Sequence, residues 1–321
     1  MEYSLAINEA LHQVMNVHRE VILLGQGLKS PWYVGNTCRG LIDAYGEERV
    51  IDTPVSENAM TGMAVGAAIA GNPSIVVHPR MDFMLYAFDP IINEAANWHY
   101  MTGGALTVPV VFWGIINRGG EQGAQHSQAL HGLFSHVPGL KVVMPSTPYD
   151  AKGLMVAAIL DPNPVVFIDD RWLYSRKGNV PEELYTVDIG KAAVRQQGDD
   201  ITIISLSYAA YLAEMLLPRL DESGISAELV DLRTIKPLDM SAVLTSVKKT
   251  GRVLILDVGW KSFGVSAEVA ARIAESGLQL KKPICRLGLP DTPAPASRSL
   301  EDAYYLGEKE IFSSISSLIS K

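Results

Sequence analysis

Short aliphatic runs recur along the chain with helix-period segments between them. EVILLGQG (20–27), SIVVHP (74–79), VPVVFWGI (108–115), LKVVMPS (140–146) and PVVFIDD (164–170) are nearly continuous in apolar residues, the composition of strands buried on both faces of a parallel sheet. Several end in Gly, Pro or Ser, where the chain leaves a sheet and offers backbone N–H groups to a ligand. Residues 171–200 interrupt the alternation with a polar, irregular stretch that holds an edge strand near GKAAV. It then restarts through ITIISLS (201–207), SAELVDLRT (226–234), RVLILDVG (252–259) and PICRLGLP (283–290), each joined to the next by a helical pattern. This order predicts an α/β protein with two domains, residues 1–175 and 200–321, joined by a linker at 176–199. Amphipathic helices are predicted at the N-terminus, MEYSLAINEALHQVMNVHREV, and in the tail, SLEDAYYLGEKEIFSSISSLISK.

Length supports the two-domain reading, since 321 residues, 48% of them hydrophobic, suffice for two ordinary cores. Charge argues against nucleic acid as a partner. Acids outnumber bases 35 to 27, the formal net charge is −8, and no basic run exceeds Lys248-Lys249 or Lys281-Lys282, so a phosphate backbone finds no electrostatic footprint. The cysteines, Cys38 and Cys285, stand far apart without a metal-ligand pattern and read as buried small hydrophobes in a reduced compartment. With no basic, apolar leader and no apolar run of spanning length, the expected location is the cytoplasm, away from membranes.

Three stretches carry candidate chemistry. DTPVSENAMTGMAVGAAIAG (52–71) opens a helix whose first turn holds Glu57. A helix-dipole role accounts for the acid by itself, with Ser56 as the cap. The small residues behind it, Ala59, Gly62, Ala64, Gly66, Ala67, Ala68 and Ala70, point further, to a dense interface that would strip water from the carboxylate and favour its protonated form. HPRMDFMLYAFDPIINEAANWHY (78–100) brings Phe83, Tyr86 and Phe88 out of a strand end; they suit a core or a cofactor platform, whereas Arg80 and Asp82 suit a core poorly. NRGGEQGAQHSQALHG (117–132) is a glycine-rich loop in which His126, flanked by Gln125, Ser127 and Gln128, is placed for hydrogen bonding or proton transfer; His131 and His136 read as structural. The chain has no GxxxxGK[ST], GxSxG, CxxC or HExxH, which removes support for P-loop hydrolysis, nucleophile-elbow hydrolysis and common zinc sites. GQG at 25–27 is a weak dinucleotide signal.

Taken together, DTPVSENAMTGMAVGAAIAG, the segment from YMTGG through VPVVF, GAQHSQALHGLFSHVPGLKVVMPSTPYDAKGLMVAAILDPNPVVF, and VDLRTIKPLD resemble, in order and over nearly the whole chain, the β subunit of thiamine-diphosphate-dependent 2-oxo acid dehydrogenase E1 components. The resemblance implies a pyrimidine-binding α/β domain followed by a transketolase C-terminal-type domain. It implies that Glu57 holds N1′ of the cofactor's aminopyrimidine and so promotes the imino tautomer that generates the reactive ylid. It places the ring-stacking aromatic at Phe83, with Tyr86 beside it, and the active-site histidine at His126. It also implies a monovalent cation, K⁺, near Ala158, Asp161 and Asn163.

The Mg²⁺–diphosphate signature of the family, GDG with a downstream Asn, is missing, and QGDD at 197–200 does not replace it. The resemblance therefore implies an α subunit that holds the diphosphate and Mg²⁺, an α₂β₂ assembly, a small 2-oxo acid substrate and a lipoyl-bearing E2 acceptor. HPRMDF departs from the acidic, phenylalanine-rich segment usual after this strand, and Arg118 and Glu121 depart from the usual small-residue loop; His78 and Arg80 are candidates to meet an anionic substrate. Two other readings remain open: a split transketolase-like or acyloin-type carboligase subunit, and a non-catalytic scaffold.

Overall fold

The computed structural model describes residues 1–30 and 33–320. Its strands are β1 (Ile22–Gly25), β2 (Val50–Asp52), β3 (Ser74–His78), β4 (Val110–Ile116), β5 (Lys141–Val143), β6 (Val165–Asp170), β7 (Ala193–Gln196), β8 (Ile201–Ser205), β9 (Ala227–Asp231), β10 (Thr234–Lys236), β11 (Val253–Trp260) and β12 (Cys285–Leu289). Helices α1 (Tyr3–Val17), α2 (Leu41–Tyr45), α3 (Glu57–Ile69), α4 (Ala96–Met101), α5 (His131–His136) and α6 (Pro148–Ile159) accompany the first sheet. The second is accompanied by α7 (Ser207–Glu222), α8 (Met240–Thr250), α9 (Val265–Glu275), α10 (Arg298–Tyr304) and α11 (Glu308–Ile319).

The first sheet has seven strands in the order β10-β5-β6-β4-β3-β1-β2, the second five in the order β12-β11-β8-β9-β7. Every residue of β3, β4 and β6 is buried, as their unbroken apolar runs require of parallel strands covered on both faces. One apolar cluster lies between α1, α6 and the first sheet; another runs from the opposite face of that sheet into the second domain. His78 pairs with Gly114 and Gly114 with Ile168, so β3, β4 and β6 end side by side at one edge of the sheet. In doubly wound sheets that edge is where ligands bind.

One strand crosses between the domains, which the sequence pattern does not indicate. SAELVDLRT holds β9, in the second sheet, and its last residue, Thr234, opens β10, which crosses to pair antiparallel with β5 in the first. β7, the edge strand expected near GKAAV, lies within the expected linker range and closes the second sheet as an antiparallel edge. Buried charges reinforce the junction: Arg195 pairs with Asp231 at 2.8 Å and also with Asp150, and Arg233 reaches Asp150 at 3.1 Å. The tail forms two helices instead of one, because the chain breaks over Tyr305–Gly307 and the Tyr305 ring packs 5.0 Å from Trp172 of the first domain. Cys38 is buried and its thiol is pushed up to about 12 by that burial, whereas Cys285 is only partly buried; both are free. Among the described residues no helix is long and apolar enough to cross a membrane.

Candidate active site

Glu57 is the first residue of α3 and is half-buried. Ser56 does not cap the helix: its side chain makes no capping bond. The carboxylate is instead held from β1, where the Gln26 amide donates to Glu57 Oε1 at 3.1 Å. Oε2 has no partner among the described residues, which leaves an acceptor open at the carboxyl edge of the sheet. Gln26 belongs to the GQG turn, a weak signal as a motif; what marks it is its place at a strand end, one residue past β1.

The small residues of this stretch divide: Ala64 and Ala68 pack within this chain, whereas Ala59, Gly62, Gly66 and Ala70 do not. The buried face of α3 is Met60, Thr61, Ala64, Val65 and Ala68, while Ala59, Gly62, Met63, Gly66 and Ala70 are exposed. A Cβ added at Gly62 or Gly66 would meet nothing within 4 Å. The chain alone therefore does not build the expected dry enclosure around Glu57.

Beyond β3 the chain makes a 3₁₀ turn over Met81–Ala87 and a π-helical turn over Asp89–Ala95 that runs into α4. Gly114 lets the 3₁₀ turn lie close against β4: a Cβ there would lie 2.5 Å from Met84 Sδ, and that side chain would have to shift. Phe83 and His126 meet with ring centroids 5.2 Å apart and planes at 89°. Behind them the buried Asp82 Oδ1 accepts from the Gln128 amide N–H at 3.1 Å and from Gln128 Nε2 at 2.9 Å. Burial raises the Asp82 carboxyl above its usual value, against the bonds from Gln128. This clamp ties the histidine loop to the aromatic turn, a link that a sequence separation of 46 residues conceals. Tyr86 points outward, 69% exposed, although its carbonyl accepts from Asn58 beside Glu57.

His78 is not available to a substrate. It is buried, bonds Thr61 of α3 at 3.3 Å, and burial pushes its imidazole down to about 3, so it is a neutral core group joining β3 to α3. Arg118 is also structural: it is buried, pairs with Asp170 at 2.7 Å and lies over the Trp172 ring. Glu121 contributes its backbone N–H, bound to Glu301 at 3.0 Å. His131 pairs with Asp257 across the domains at 2.8 Å.

The candidate cation ligands fit in part. Asn163 Oδ1 is buried without a partner, an acceptor that a cation would satisfy, but Asp161 is bonded to Lys141 at 2.5 Å and to the Asn163 N–H. Ala158 is buried in the last turn of α6.

A seven-stranded, mostly parallel sheet with Glu57, Phe83 and His126 at its carboxyl edge, joined to a smaller α/β domain, defines a transketolase-like protein. Residues 1–177 match the transketolase pyrimidine-binding domain and residues 190–311 the transketolase C-terminal domain. A solved split-gene transketolase, an inactive β₄ tetramer, superposes with a TM-score of 0.79 over 98% of this chain and 96% of that one at 19% identity, a likeness of fold. More narrowly, the chain belongs to the family of E1 β subunits of thiamine-diphosphate-dependent 2-oxo acid dehydrogenases. It is 40% identical to the 2-oxoisovalerate dehydrogenase β subunit of Bacillus subtilis (95% of this chain, 94% of that one). Identity is 39% both to that organism's acetoin:2,6-dichlorophenolindophenol oxidoreductase β subunit (93% and 91%) and to the pyruvate dehydrogenase E1 β subunit of Porphyra purpurea (98% and 96%).

Proposed function

We propose that this chain is the β half of a cytoplasmic α₂β₂ E1 enzyme that decarboxylates a small 2-oxo acid and passes the acyl group to a lipoyl acceptor. The observation that carries the reading is the half-built site: Glu57 with one oxygen fixed and one open, at the same carboxyl edge of the sheet as the Phe83–His126 pair. Thiamine diphosphate, when bound, supplies the electron sink for breaking the bond to the carboxylate carbon.

This chain's own residues divide the remaining work. Gln26 orients Glu57 so that Oε2 faces the edge of the sheet, where it holds a proton against the cofactor's aminopyrimidine N1′. The ring of Phe83 offers an apolar face to the same aminopyrimidine. His126, held near Phe83 by the Asp82–Gln128 clamp, moves a proton to or from the substrate oxygen. The α subunit contributes the diphosphate and Mg²⁺ contacts and covers the exposed face of α3. A K⁺ ion would be held through the Ala158 carbonyl and Asn163, with Asp161 already engaged by Lys141; no step is routed through it.

The test is reconstitution with the cognate α chain. Glu57→Gln is expected to leave assembly intact and to slow exchange of the cofactor's C2 proton about a hundredfold or more. Reductive acylation of a lipoyl domain supports the dehydrogenase reading; carboligation without it supports a transketolase-like subunit. Exchange within a factor of a few of the parent would end the proposed role of Glu57.

A further inference from the structure

In a chain of net charge −8, two arginines at the active edge form no ion pair among the described residues. Arg80 follows β3 and Arg171 follows β6, strands that end on either side of β4. The arginines that form ion pairs among the described residues are Arg118, Arg176, Arg195 and Arg233; Arg80 and Arg171 are not among them. Asp82 and Asp169 lie within the field of Arg80 and of Arg171 respectively but bond elsewhere: Asp82 Oδ1 accepts from Gln128 and Asp169 Oδ1 from Trp113 Nε1, and the second oxygen of each is buried without a hydrogen-bond partner. Arg80 Nη1 donates to its own neighbour's carbonyl, Pro79 O, at 2.8 Å, and Arg171 Nη2 to Tyr33 O. Nε of both side chains is buried with no partner. Burial, and after it the like charge of Arg171, hold the Arg80 guanidinium below its ordinary value, so the two cations lie within reach of each other's field.

Both cations adjoin the reacting groups. Phe83 N–H bonds Arg80 O at 3.1 Å, which puts Arg80 on the turn that carries the aromatic ring. Tyr33, whose carbonyl Arg171 holds, packs its ring over Gly27, next to the Gln26 that orients Glu57. Two guanidiniums with unpartnered Nε donors, following strand ends that flank β4 and neither of them ion-paired, fit an anion of higher charge than a single carboxylate.

We infer that Arg80 and Arg171 form a subsite for a second anionic group, a carboxylate or a phosphate, on the small-molecule substrate turned over beside Glu57, Phe83 and His126. The inference rests on the proposed E1-type function. It narrows the substrate class to molecules with an anionic tail in addition to the group that reacts.

The test uses the α-reconstituted complex loaded with thiamine diphosphate. Turnover of 2-oxoglutarate is compared with that of pyruvate, and glyceraldehyde 3-phosphate with glyceraldehyde as acceptors. Separately, calorimetry measures binding of inorganic phosphate and of succinate. For Arg80→Met and for Arg171→Met, the preference in kcat/KM for the dianionic partner is expected to fall about tenfold or more. Affinity for whichever probe anion fits falls in parallel, and Arg80→Lys recovers part of both; phosphate against succinate identifies the group. An unchanged preference together with unchanged or undetectable anion binding overturns the subsite, as does a loss confined to thermal stability. If the complex turns over no 2-oxo acid, the functional reading fails, and the calorimetry alone then decides the arginine pair.

Discussion

His126 meets Phe83 edge-on, with ring centroids 5.2 Å apart and planes at 89°. An edge contact leaves the flat face of Phe83 free for another ring and sets the distance between that ring and the imidazole proposed to carry a proton. Asp82 holds that distance through its two bonds from Gln128. Asp82→Ala is expected to release the loop and lower kcat/KM of the α-reconstituted enzyme about 10- to 100-fold. Asp82→Asn, which keeps an acceptor for Gln128, is expected to be milder. Equal activity of Asp82→Ala and the parent would show that the clamp does not position His126.

Gly114 lets two methionines of the aromatic turn pack close on β4. A methyl group there would sit 2.5 Å from Met84 Sδ and 3.5 Å from Met81 Cγ, and both methionines are buried. Gly114→Ala is expected to destabilise the chain by about 1–3 kcal/mol. Pairing it with Met84→Ala removes the clash, so the cost of Gly114→Ala should shrink in that background. A thermal-melt double-mutant cycle measures the coupling; additive effects would refute the close approach.

Asp169 gives a pH dependence of definite sign. Burial raises its carboxyl to about 7, from the 3.8 of an unperturbed aspartate. The folded chain therefore binds this proton more tightly than the unfolded one. The stability it contributes is complete below pH about 4 and is lost as pH rises towards 7. Asp169→Asn keeps an acceptor for Trp113 Nε1, which bonds the parent carboxylate at 3.2 Å, and has no charge to bury. At pH 8 the variant is expected to be more stable than the parent, by on the order of 2 kcal/mol, and near pH 4 the two should converge. Denaturant melts across that range provide the measurement, and parallel curves would count against the assignment.

The central strands were legible because an unbroken apolar run has few alternatives to a doubly covered parallel strand. β3, β4 and β6 lie where SIVVHP, VPVVFWGI and PVVFIDD put them. β10 was hidden because three residues carry no periodicity, and its partner β5 is some ninety positions away in sequence. Glu57, Phe83 and His126 could be chosen from motif and residue type, but their supports, Gln26 and Asp82, act through contacts that only the fold creates. His78 misled for a related reason. Its charge type suggested a ligand, and only its burial against Thr61 reveals a neutral core residue.

The exposed stripe on α3 separates folding from assembly. Gly62 and Gly66 lie mid-helix, and a methyl group added at either would have nothing within 4 Å, so in the isolated chain a side chain there meets only solvent. Leucine is the better helix former by up to about 1 kcal/mol, and Gly62→Leu is expected to leave the melting temperature of the chain alone unchanged or raised. The same helix begins at Glu57, whose enclosure this chain does not supply. If the α subunit closes against the stripe, as proposed, a leucine there holds the surfaces apart and weakens association about tenfold or more, taking cofactor turnover with it. Sedimentation of the mixed subunits reads the first effect, and activity titrated against α concentration the second. Unaltered assembly by a stably folded Gly62→Leu chain would mean that the small residues of α3 serve no interface with the α subunit.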